Sequence, residues 1–107
     1  GPDGYPDAIH AATLSREVQG AYDPATGTYS TTTASETGRF VVDTEKPATD
    51  IFPDYIAGPG DELILLEGFT ACQEGWTLTG NKTWVIRQVQ DIVAAGTLFY
   101  AIGREVK

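Results

Sequence analysis

Glu62-Leu63-Ile64-Leu65-Leu66-Glu67-Gly68, followed by Trp76-Thr77-Leu78-Thr79-Gly80-Asn81-Lys82-Thr83-Trp84-Val85-Ile86-Arg87-Gln88-Val89-Gln90-Asp91 and by Thr97-Leu98-Phe99-Tyr100-Ala101-Ile102-Gly103-Arg104, decides the fold. Each segment reads as a strand and each break as a turn. Thr79-Gly80-Asn81-Lys82 is a hairpin signal between two extended runs. Strict alternation places Trp84 and Ile86 on one face, and Val85, Arg87 and Val89 on the other. Leu98, Tyr100 and Ile102 alternate with Phe99 and Ala101, and Gly96 supplies the preceding turn. The unbroken apolar run Leu63-Ile64-Leu65-Leu66 implies burial on both faces, as in a barrel wall or a packed subunit interface.

Working towards the N-terminus, residues 38–43 carry Phe40, Val41 and Val42 and read as a core strand. Residues 29–34 are Thr-rich and extended. Residues 11–19 alternate, with Leu14, Arg16 and Val18 against Thr13, Ser15 and Glu17, and form a half-buried strand. Asp23-Pro24-Ala25-Thr26-Gly27 joins these two strands. Pro24 presets φ, the Asp23 carboxylate accepts from backbone N–H groups, and Gly27 supplies positive φ. Residues 44–54, punctuated by Pro47 and Pro53, form a loop long enough to be a contact element. The expected fold is all-β: a small antiparallel β-barrel or sandwich with long loops, with room for a short N-terminal helix. Residues 1–10 are expected to be a flexible tail, in which Gly1-Pro2 resembles a protease scar, and residues 11–107 a single barrel domain.

Composition narrows the function classes. Twelve glycines and six prolines in 107 residues favour short strands and tight turns. Fifteen acidic residues against seven basic ones give a formal charge of −8, which opposes nucleic-acid or anionic-lipid binding. Cys72 is the only cysteine, so no internal disulfide forms, and no apolar run is long enough for a membrane helix. His10 is the only histidine and is expected to be exposed in the tail, without a ligand set for metal. No Gly-x-Ser-x-Gly nucleophile elbow or phosphate loop is present. The paired carboxylates Asp61-Glu62 and Asp50 with Asp54 match no calcium-loop spacing and read as solvated loop acids. No enzyme activity, cofactor or metal is expected.

Three segments in order resemble the small β-barrel head–tail connector proteins of tailed bacteriophages, the stopper or head-completion class of the neck. They are Tyr22-Asp23-Pro24-Ala25-Thr26-Gly27-Thr28, Pro59-Gly60-Asp61, and the closing pattern of residues 76–104. Residues 69–75 stand as an insertion before the last hairpin. The resemblance implies a structural virion protein in the neck, in the bacterial cytoplasm during assembly, encoded by a phage, a prophage or a gene-transfer particle. Its implied partners are copies of itself in a ring, expected to be hexameric, the portal or adaptor, and tail-tube or tail-terminator proteins. Genomic DNA would pass through without specific binding. Contact or channel residues are then expected at Asp43, Glu45, Asp50 and Asp54 as lumen or rim charges, at Phe52 and Tyr55 as anchors, and at Tyr22 and Asp23 in the first turn. The alternative is a monomeric β-barrel module that binds carbohydrate or peptide through Trp76, Trp84 or Tyr55 on an exposed face.

Overall fold

A computed structural model describes residues 9–92 and 97–107. Six strands are present among the described residues: β1 Ile9–Asp23, β2 Thr28–Asp43, β3 Asp61–Glu67, β4 Thr77–Thr79, β5 Thr83–Asp91 and β6 Leu98–Glu105. They close into an antiparallel barrel in the order β1-β2-β3-β6-β5-β4. Among the described residues the sole helical element is a 3-10 turn, Ala48–Asp50, so no N-terminal helix is found there. Of the expected tail, residues 1–8 lie outside the described residues, but Ile9 and His10 belong to β1. His10 is half-buried with its ring 5.3 Å from that of Phe40, because β1 pairs with β2 from its first residue. The turn expected at Gly96 also lies outside the described residues.

Closure of so few strands leaves an interior only wide enough for side chains. It is filled by Leu14, Phe40, Ile64, Leu66, Leu78, Trp84, Ile86, Phe99 and Ala101, with Phe69 packed against them from the segment after β3. Trp84 is completely buried and meets Phe40 edge to face, with centroids 5.1 Å apart. Its indole Nε1 donates to Glu62 Oε2 at 2.7 Å, so its one polar atom is satisfied. Gly103 stands opposite this ring, where a Cβ would lie 2.8 Å from Ile64 Cδ1 and 2.9 Å from Trp84 Cβ.

Two findings depart from strict alternation. The ladder between β5 and β6 slips between Ile86 and Gln88, inserting one extra residue in β5. This bulge reverses the inside–outside parity. Val89 therefore packs against the same core as Trp84 and Ile86 instead of opposite them. The second departure is on β3 and β6. Leu63 and Ile102 point away from the barrel interior, yet they are buried beneath Phe52 in a second small cluster. That cover explains three of the four apolar residues in β3: Ile64 and Leu66 fill the barrel and Leu63 packs under the loop, while Leu65 stays half-buried on the outer face.

Replacing Gly103 by Val should overpack the interior and lower stability by about 1–3 kcal/mol. The expected result is a lower urea midpoint with an unchanged m-value.

Candidate functional site: a projecting ribbon and a clasped acidic loop

β1 pairs with β4 only through Thr13, Leu14 and Ser15, and β2 pairs with β3 only from Arg39 onward. Between those points the two long strands pair only with each other among the described residues. The consequence is a two-stranded ribbon projecting from the barrel, and the molecule measures 57 × 32 × 32 Å. The base of the ribbon is braced on both sides. The Arg16 guanidinium lies 4.5 Å above the Trp76 ring, and Glu36 accepts from Thr70 N and Thr70 Oγ1 at 2.8 and 2.9 Å. From residue 17 to residue 35 no side chain is buried.

The tip forms as its residues dictate. Asp23 Oδ1 accepts from Ala25 N at 2.9 Å, Asp23 O accepts from Gly27 N at 2.8 Å, and Gly27 adopts φ 72°. A bulge between Gln19 and Tyr22 adds a residue to β1 and brings Tyr22 opposite Tyr29. Their rings meet edge to face at 5.0 Å, while about half of each residue's surface stays in solvent.

Residues 44–60 behave differently. They fold against the outer wall of β3 and β6 and are fastened at two points. Phe52 inserts over Leu63 and Ile102, so it is a buried pin of the loop and not the exposed anchor expected from its flanking prolines. Further along, Asp61 gathers the chain. Its Oδ1 accepts from Arg104 Nε at 2.7 Å, and its Oδ2 accepts from Arg104 Nη2 at 3.0 Å, Tyr55 Oη at 2.7 Å and Gly58 N at 2.8 Å. Tyr55 is thus half-buried and committed to this clasp. The Arg104 hydrogen bond is the main reason that the Asp61 carboxyl falls from 3.8 to about 2, against the opposing cost of burial. The same pairing pushes Arg104 further up.

The other expected residues divide in two. Glu45, Asp50 and Asp54 are exposed on the loop. Asp43 is half-buried and turns the chain out of β2, its Oδ1 accepting from Glu45 N at 3.0 Å and Lys46 N at 2.9 Å. Tyr22 and Asp23 lie at the far end of the ribbon, away from this loop on the barrel. Sequence reasoning missed Ile56, which is 89% exposed and is the most accessible large apolar side chain of the loop. Its signal was an isolated apolar residue after Tyr55 in a segment with no strand alternation. Neither tryptophan offers an open platform: Trp84 is interior, and Trp76 is half-buried under Arg16. Cys72 is buried, which pushes its thiol up to about 12, with Glu36 adding to the effect. It is therefore a packing residue. Among the described residues no group of three or more His, Cys, Asp or Glu side chains could hold a metal ion.

Two outcomes follow for these elements. The depressed Asp61 carboxyl stabilises the fold above its unfolded value of 3.8, and that contribution is lost as pH falls towards about 2. Asp61→Asn should therefore cost about 2 kcal/mol at neutral pH, with the difference from the parent chain shrinking across that acid window in denaturant titrations. Replacing residues 17–33 by Asn-Gly should leave the thermal midpoint of the barrel nearly unchanged, because the ribbon contributes nothing to the core. In the full chain, hydrogen exchange should show ribbon amides opening far more readily than those of β3 and β6. The sequence matches no protein-family model and no curated protein, and the fold matches no solved structure.

Proposed function

We propose that this chain is a structural virion protein of a phage-type head–tail junction, which assembles with copies of itself into a neck ring between portal or adaptor and tail. The observation that carries the proposal is the ribbon. Its nineteen residues from 17 to 35 bury no side chain in the monomer. A lone two-stranded ribbon is marginal in water, so its worth lies in what it meets outside its own chain. The neck assignment itself rests on the resemblance of the turn, the Pro59-Gly60-Asp61 strand opening and the closing strands to connector proteins.

The acidic loop suits the same role. Glu45, Asp50 and Asp54 are held on a segment fixed to the barrel by Phe52 and Asp61, so their charges have a defined position. Such a rim repels a DNA backbone and lets it pass without sticking. Ile56 is the apolar contact available beside it. The alternative of a sugar- or peptide-binding module through Trp76, Trp84 or Tyr55 needs these rings to face solvent, and all three are engaged within the fold.

Light scattering across protein concentration, with electron microscopy of the same samples alone and with portal–adaptor complexes, tests the proposal. Rings of uniform copy number, formed alone or on the portal complex, are the expected result. A chain that stays monomeric with those partners and retains an oligosaccharide or peptide would overturn it.

A further inference from the structure

We propose that the ribbons of neighbouring copies pair edge to edge, the β2 edge of one against the β1 edge of the next, so that the ring is held by a continuous intermolecular antiparallel sheet. The inference deepens the ring reading above and rests on it for closure. Its own basis is the hydrogen-bonding state of the ribbon. Beyond Ser15, β1 has only β2 as a neighbour, and before Arg39, β2 has only β1, among the described residues. Each strand therefore presents one unpaired row of backbone N–H and C=O groups. Such edges are commonly guarded by charge, Pro, bulges or short length. On β2 these guards are absent along residues 28–35, while β1 carries a bulge beside Gly20 and acids at the two ends of its edge, Glu17 and Asp23. Residues 28–35 of β2 read Thr-Tyr-Ser-Thr-Thr-Thr-Ala-Ser, with no Pro and no charge, in a composition suited to extended pairing. On β1, residues 18–22 are likewise uncharged. In a chain of formal charge −8, these edges are where two copies can meet without opposing like charges.

The choice of partner follows from geometry. The two open edges are of similar length, residues 17–23 and 28–35, and belong to antiparallel strands. When ribbons stand side by side in the same orientation, β2 of one copy lies antiparallel to β1 of the next. The junction then repeats the tyrosine pairing within a chain: Tyr29 gains the neighbour's Tyr22 on its open side. A two-fold pairing of β2 with β2 would leave every β1 edge open. The head-to-tail arrangement satisfies both edges of every copy with one type of contact, and a head-to-tail contact can close into a ring.

Two single-cysteine proteins, Val18→Cys and Thr32→Cys, each also carrying Cys72→Ala, test this pairing. The two positions face each other across the ribbon and are exposed. Treatment with a short thiol–thiol cross-linker at assembling concentration, or on the portal complex, should give several-fold more dimer in the mixture than with either protein alone. The chain with residues 17–33 replaced by Asn-Gly should stay monomeric under the same conditions while keeping its thermal midpoint. A mixture no better than the single proteins, stronger linking of Thr32→Cys to itself, or full assembly of the shortened chain would each overturn the pairing. Uniform closed rings without mixed cross-links would remove the pairing and leave the ring reading standing. Mixed cross-links in open fibres would do the reverse.

Discussion

The structure depends on filling a narrow six-stranded barrel with one indole. Trp84 reaches from β5 across the interior to Phe40 on β2 and to the bare backbone of Gly103 on β6. The hydrogen bond from its Nε1 to Glu62 sets where along the barrel the ring can sit. That bond also gives a partner to a polar atom that would be costly to bury alone. Around it, Leu14, Ile64, Leu66, Leu78 and Phe99 come from β1, β3, β4 and β6, Ile86 from its own strand β5, and Phe40 from β2. Because each strand offers only a few inward residues, loss of the central ring would leave a void that its neighbours could not fill without breaking register.

A filled barrel frees its outer surface for other work, and the chain uses that surface unevenly. On β3 and β6 the outside is apolar at Leu63 and Ile102, so the loop after β2 is drawn down and held by Phe52. The Asp61–Arg104 pair then fixes the far end of the loop through Tyr55 and Gly58. The acidic side chains of this segment therefore ride on a rigid support. By contrast, the exposed Arg39–Glu67 pair on the neighbouring wall contributes little, since water screens both groups.

Buried core and exposed ribbon are thus separated within one small domain. Residues that hold the barrel together lie below the ribbon, and the exposed large side chains Tyr22, Tyr29 and Ile56 lie on the ribbon and on the loop. A ribbon without a core takes its twist from its own pairing, and its bulge beside Gly20 increases that twist. The barrel body keeps its shape meanwhile.

The sequence alone determined what depends on near neighbours in the chain. The Asp23–Gly27 turn, the Thr79–Lys82 hairpin, the all-β class and the burial of Leu63, Ile64 and Leu66 were legible because turn chemistry and side-chain alternation are local, whereas Leu65 on the outer face is only half-buried. The inward parity of Val89 was not, because the bulge at Arg87 is settled by the pairing partner on β6 and not by β5 itself. Phe52 and Tyr55 looked free beside their prolines, and only the apolar outer wall and the Asp61 carboxylate show why they are engaged. The projection of the ribbon was hidden for the same reason. Residues 17–35 alternate and pair as any hairpin would, and nothing within them states that β3 and β4 stop short beneath them. Tertiary structure alone decides where a strand ceases to have a second neighbour, because that depends on the lengths of distant strands.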